Sequence, residues 1–217
     1  MTDKSYSDFK SFLFDRAYKA GDPKWFFAED FFDPDFKDEF IVDGALQIFR
    51  EIETIWANHS ETQFVLGLQY LIDRYCGITC FSFLSDQVPL SMRESAISSM
   101  FEVFEKVFAK ACANTDSPAN LHLPSYNYLC FMWWYVFPRH GAPRTQKMKI
   151  IDSIILNNLE KTLWLDNITC KKAALHGLGC WQPAYDDEVQ KILNQNASII
   201  PECLRLFAAR AAVGDMN

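Results

Sequence analysis

At 217 residues, with 49% hydrophobic and 15% aromatic content, the chain is long and apolar enough to bury a substantial core, which excludes a disordered polypeptide. A net charge of -7 argues against a nucleic-acid binder, whose affinity comes from Lys and Arg neutralising phosphates, and favours a basic partner instead. Seven cysteines, an odd and scattered set, suit reduced thiols rather than a disulfide framework.

The polar start, Met1 to Tyr6, lacks the apolar run of a signal peptide. The longest apolar run, Tyr128 to Phe137, is about half of the ~20 residues that a membrane span needs. A cytoplasmic protein with no membrane partner is expected.

In chain order, apolar spacing predicts a first helix over residues 5–20, burying Phe9, Phe12, Leu13 and Ala17 and stopped by Gly21 and Pro23. An aromatic and acidic stretch follows, broken by Pro34. Residues 36–57 read as one long helix with the stripe Ile41, Ala45, Ile48, Phe49, Ile52, Ile55 and Trp56. Ser60 and Gln63 form a capping box for the next helix, with Phe64, Leu68, Leu71, Ile72 and Tyr75 inward and Gly77 as its stop. Residues 77–89 read as a loop. Ser91 and Glu94 suggest a second capping box, before a helix burying Ile97, Met100, Phe101, Phe104, Val107 and Phe108.

Asn114 to Pro118 is turn chemistry. A single helical domain is expected over 1–217, with a possible division near 114–120 into N-terminal helices (1–115) and C-terminal helices (120–217). Leu123 to Phe137 is apolar nearly all round: a central helix, with a buried strand as the competing reading. A helix over 144–164 uses Met148, Ile151, Ile155, Leu159 and Leu163. Asn167 caps another over 167–182, whose Gly177 and Gly179 imply close backbone approach, or a helix end at Gly179. Asp186, Asp187 and Glu188 suit the first turn of a short helix, and Pro201 the first position of the last one.

These elements predict an all-α fold of about nine helices, stacked as antiparallel pairs near 36–76, 91–138, 144–182 and 186–213 in an α-solenoid of HEAT-like type. An irregular bundle is the alternative. Residues 170–214 carry the run Ala174-Leu175-His176-Gly177-Leu178-Gly179, then Val189 and Ile192, Pro201-Glu202, and Ala211 to Gly214. This pattern resembles the C-terminal HEAT-like module of small uncharacterised bacterial proteins, although position 180 is Cys where that module more often has His. The resemblance implies an interaction protein, of the immunity type that neutralises a toxin.

Residue chemistry points the same way. No nucleophile elbow, phosphate loop or His-Glu-x-x-His helix occurs, so no catalytic residue, metal or cofactor is assigned. His176 is expected to pack or to bond a backbone carbonyl, and His140 to sit as a cation at a helix end. Trp133 and Trp134 read as core, and Arg139, Arg144, Lys147 and Lys149 as a small basic cluster. Seven acids, Glu29, Asp30, Asp33, Asp35, Asp38, Glu39 and Asp43, stand against one base, Lys37, a local charge of -6. Phe31, Phe32, Phe36 and Phe40 are interleaved with them. Asp33, Asp35 and Glu39 offer metal oxygens, but the twelve-residue calcium-loop pattern with its glycine is absent. The stretch reads either as a solvated face anchored by phenylalanines or as a docking surface for a basic protein such as a toxin domain. An all-helical enzyme and a subunit of a larger complex are the alternatives.

Overall fold

The computed structural model describes residues 5–19, 22–117 and 125–216. Helix α1 (Tyr6–Phe14) opens on a capping box: Ser5 Oγ accepts from the Asp8 N–H at 3.2 Å, and the Asp8 carboxylate accepts from the Ser5 N–H at 2.9 Å. It buries Phe9, Leu13 and Phe14 but ends there, leaving Ala17 exposed. Gly21, the expected stop, lies outside the described residues.

The long helix expected over 36–57 is two. Helix α2 (Asp38–Arg50) ends at Glu51, and α3 (Ile52–Asn58) resumes after it. At this bend the Glu51 carboxylate is held from α1 by the Tyr6 hydroxyl and by Lys10 Nζ at 3.1 Å. Ser60 and Gln63 cap α4 (Glu61–Ile72) as the sequence indicates. That helix stops before Gly77, because Asp73 offers its carboxylate to the Tyr75 N–H at 2.8 Å and to Gln69 Nε2 at 3.0 Å. Tyr75 therefore turns outward and is exposed.

Within 77–89 the chain forms a 3₁₀ turn, Thr79–Leu84, that buries Cys80 and Phe83. Helix α5 (Leu90–Val103) starts one residue before Ser91, with Pro89 at its cap position and no side-chain cap bond, so the second capping box does not form. The helix then widens into a π turn, Phe104–Phe108, and closes as α6 (Ala109–Ala111). The extra residue in that turn aims Phe104, Val107 and Phe108 into the core, where Phe104 stacks on Trp134 at 6.0 Å and meets Trp133 edge-on at 5.6 Å.

Residues 126–136 are helical, not extended. Helix α7 (Tyr126–Val136) is followed by α8 (Gln146–Leu163), α9 (Ile168–Trp181), α10 (Asp186–Gln195) and α11 (Arg205–Ala211). The described residues are thus all-helical, with eleven α-helical segments rather than about nine and no strand. Pro201 does not start a helix but precedes a 3₁₀ turn, Glu202–Leu204, that leads into α11.

Packing partners are mostly not sequence neighbours, which departs from the stacked pairs expected of an α-solenoid. Helix α2 packs on α5, α5 on α8, α8 on α9, α9 on α7, α7 on α4, α4 on α1, and α1 again touches α2. Among the described residues, only α8 and α9 form a closely packed consecutive pair of the kind expected. Helices α10 and α11 both lie against α9. Helices from both sides of 114–120 contribute to one buried cluster; part of that turn lies outside the described residues.

Helix α9 packs against α7, α8, α10 and α11. Asn167 caps it, its Oδ1 accepting from the Cys170 N–H at 3.1 Å. A Cβ on Gly177 would stand 2.4 Å from Leu159 Cδ2 and 3.0 Å from Trp134 Cβ, so this glycine lets α8 and α7 close on α9. Gly179 lies inside the helix rather than at its end, facing Met216 and Ala211.

Candidate functional site

The acidic stretch is held by aromatic packing beneath it. Phe36 and Phe40 stack at 5.4 Å, and Phe9 of α1 meets both edge-on, at 5.1 and 5.7 Å. Phe31 lies against Phe12, Trp25 and Tyr70, while the Arg16 guanidinium covers Phe12 at 4.6 Å and Trp25 at 4.5 Å. Phe31, Phe36 and Phe40 are thus half-buried anchors. Phe32 points away, 84% exposed.

Along this frame the seven acids fall into two groups. Asp33 accepts a 2.5 Å hydrogen bond from the Tyr70 hydroxyl, and burial, then that carboxylate, pushes the Tyr70 phenol above its usual range. Asp38 accepts from Ser82 Oγ at 2.8 Å. These two carboxylates hold the stretch onto the body of the protein. Glu29 and Asp30 sit exposed in the turn after the 3₁₀ helix Trp25–Phe27, and Asp35 is exposed in the segment that leads into α2. Glu39 and Asp43, four residues apart, share one exposed helical face. Asp38 and Glu39 occupy the first turn of α2, where the positive end of the helix dipole favours negative charge and where Lys37 supplies no side-chain cap.

A shallow groove of about 330 Å³ runs along this face, lined by Lys37, Glu39, Phe40, Asp43 and Met92. Among the described residues, Glu29, Asp30, Asp33, Asp38, Glu39 and Asp43 take part in no ion pair. These six carboxylates are therefore not neutralised by an ion pair among the described residues, and Lys37 is the base that lines the same groove. No group of three or more His, Cys, Asp or Glu side chains among the described residues is arranged to hold a metal ion.

The expected basic cluster does not assemble. Arg139 is buried against Asp152 at 2.6 Å, Arg144 reaches the Ala184 carbonyl at 2.9 Å, Lys147 lies 3.4 Å from Asp86, and Lys149 is exposed. Apolar neighbours in sequence hid the buried carboxylate that claims Arg139.

A second cavity, about 320 Å³ and open to solvent, is lined by Arg74, Tyr135, His140 and Cys180 among others. Its histidine is occupied: Arg74 Nη1 donates to His140 Nδ1 at 3.3 Å, which leaves Nε2–H to donate to the Trp134 carbonyl at 3.0 Å. His140 is thus at a helix end, as expected, but burial lowers its pKa and favours the neutral ring over the expected cation. Burial also pushes the Cys180 thiol up to about 11, so this sulfur is protonated at neutral pH. His176 stacks on Phe131 at 4.4 Å and bonds its carbonyl at 3.2 Å, and its pKa is likewise lowered by burial. His59 bonds the Ile55 carbonyl and Asp15, and His122 lies outside the described residues. Trp133 and Trp134 are core.

The two buried histidines make a pH prediction. Above about pH 6.5, their ordinary value, both rings are neutral in folded and unfolded chains alike. Below it the unfolded chain takes up protons that the folded protein resists, so stability falls as pH drops from about 6.5. Urea titrations at pH 7.5 and 5.5 should show this loss, and a His140→Gln, His176→Gln variant should show less of it; an equal loss in both proteins would remove the histidines as its cause.

The Thr79–Leu84 turn, the groove and the Tyr70–Asp33 bond have no local sequence signal, since each depends on segments far apart in the chain. No helix among the described residues is long and apolar enough to cross a membrane. No protein-family model, curated protein or solved structure matches the chain.

Proposed function

We propose that this protein acts by binding another protein, without chemistry of its own, and that the acidic surface over residues 29–43 docks a basic partner in the cytoplasm. The observation that carries this reading is the groove between Glu39 and Asp43, where exposed acids border Phe40 and Met92 and form no internal ion pair among the described residues. Acids around an apolar floor steer encounter through charge and hold through burial of the partner's side chains. The resemblance of residues 170–214 to a HEAT-like module makes an immunity protein or antitoxin, masking a basic toxin domain, the specific form of the proposal.

Co-expression with the product of the adjacent gene tests the class: co-purification and rescue of growth support it, and a toxic neighbour that is neither bound nor neutralised defeats it. The surface is tested separately by reversing Glu29, Asp30, Glu39 and Asp43 to Lys. Asp33 and Asp38 are spared because they bond Tyr70 and Ser82. Association at low salt should slow by about tenfold or more, and its salt dependence should flatten. Unchanged kinetics would take this face out of the binding mechanism.

A further inference from the structure

Arg74 lies just past the end of α4, where its backbone N–H donates to the Val136 carbonyl at 3.2 Å and ties this turn to the end of α7. Its guanidinium is held in place but not neutralised. Nη1 donates to His140 Nδ1 at 3.3 Å and Nη2 to the Tyr75 hydroxyl at 2.7 Å. The planar group also lies over the Tyr75 ring at 4.8 Å and the Tyr135 ring at 5.8 Å. Among the described residues no carboxylate pairs with it. The acid beside it in the chain, Asp73, is turned inward to Gln69 and to the Tyr75 N–H. The carbonyls that end α7 are taken as well, Val136 by the Arg74 N–H and Trp134 by His140. The Arg74 Nε–H and the Tyr135 hydroxyl therefore have no hydrogen-bond partner among the described residues.

These groups border the open cavity of about 320 Å³, a volume at the lower end of small-molecule sites. Its lining divides by chemistry. Arg74 and Tyr135 bring hydrogen-bond donors, whereas Cys180 of α9, Pro183 after it and Met216 near the C-terminus bring apolar surface. His140 has no N–H to spare, because Nδ1 accepts from Arg74 and Nε2 donates to the Trp134 carbonyl. Burial keeps that ring neutral and the Cys180 thiol protonated, so Arg74 is the one charge among the lining residues at neutral pH.

We propose that this cavity binds a small monocarboxylate with a compact apolar body, its carboxylate paired to the Arg74 guanidinium and its body laid against Tyr135, Pro183 and Met216. A guanidinium is a planar fork whose parallel N–H donors match the two oxygens of a carboxylate, and its contacts with His140 and Tyr75 fix the plane in advance. A single cation matches a single negative charge. A dianionic phosphate calls for a second positive charge or a helix N-terminus, neither of which lines the cavity, and the net charge of -7 opposes it further. The apolar wall sets the other half of the preference, since a body without polar groups leaves nothing unpaired against Pro183 and Met216. None of these residues belongs to the acidic stretch, so the site stands or falls independently of the docking surface.

The test uses the full chain with sodium benzoate as the probe, followed by backbone amide NMR at neutral pH. Benzoate should shift the amides of Arg74, Tyr135, His140 and Cys180 saturably, with a Kd of about 1 mM or below. Benzamide, of the same shape without the charge, should bind about tenfold more weakly or worse, and phenyl phosphate should bind more weakly than benzoate. Arg74→Gln should erase the preference for benzoate over benzamide, an effect that a merely structural role would not produce. Alkylation by iodoacetamide gives a readout in the unaltered protein: saturating benzoate should slow labelling of Cys180 several-fold and leave the exposed Cys203 unchanged. Equal affinity for benzoate and benzamide, tighter binding of phenyl phosphate, or shifts that miss these residues and leave Cys180 labelling unchanged would each overturn the proposal. Should Arg74→Gln not fold, the comparison of the three probes and the protection of Cys180 decide alone.

Discussion

Asp152→Ala should be the most damaging single substitution in this protein, lowering its stability by about 3–5 kcal/mol. Asp152 is wholly buried and accepts two 2.6 Å bonds from Arg139, one from Nε and one from Nη2, and a third 2.6 Å bond from the Tyr185 hydroxyl. Arg139, itself buried, also donates to the Pro143 carbonyl at 3.0 Å. Removing the carboxylate strands a guanidinium in a medium that solvates it poorly, and the stranded charge accounts for most of the loss. For a chain of this length the melting temperature should fall by roughly 6–20 °C. The double variant Arg139→Met, Asp152→Leu should recover much of that loss, since it removes both charges together. Thermal and urea unfolding of the three proteins would check it. A single variant within about 1 kcal/mol of the parent would show that water reaches Arg139 and that the pair is not truly buried.

Gly67→Ala should also destabilise, although local reasoning assigns it the opposite sign. In the middle of α4 an alanine is worth up to about 1 kcal/mol over glycine from helix propensity. The structure leaves no room for the methyl: a Cβ there would stand 2.6 Å from the Leu13 carbonyl oxygen and 2.6 Å from Phe14 Cδ1. Because the first of these is backbone, relief requires α1 to lift off α4 rather than a side chain to turn. A net loss of about 1–3 kcal/mol is expected from overpacking. A gain in stability on chemical denaturation would mean that α1 is held loosely, and would weaken the account of how the acidic stretch is anchored, since Phe9 and Phe12 of α1 lie beneath it.

Local signals proved reliable where the chain's own neighbours supply the energy. The period of apolar residues marked α2, α4, α8 and α9, and the Ser60–Gln63 box and the Asn167 cap formed because both partners of each bond lie within three residues. His176 bonds a backbone carbonyl and the tryptophan pair is core, as their apolar surroundings indicate. Signals failed where a distant group outbid the local one. Glu51 splits the long helix while held by Tyr6 and Lys10; Asp73 ends α4 before Gly77; and Asp152 takes Arg139 from a presumed surface cluster.

Residue type and spacing by themselves determined that this chain would be helical, that it would bury its aromatics and that it would carry its negative charge in one stretch, because each follows from composition or from contacts within a turn or two of helix. Only the tertiary structure decided which helices would touch. Helix α2 takes α5 rather than α4, Tyr70 and Ser82 claim two acids while Glu29, Asp30, Glu39 and Asp43 stay exposed, and Cys130 of α7 meets Cys170 of α9. Those outcomes depend on shape complementarity and on buried polar partners tens of residues away, for which no periodicity in a linear sequence can carry the information.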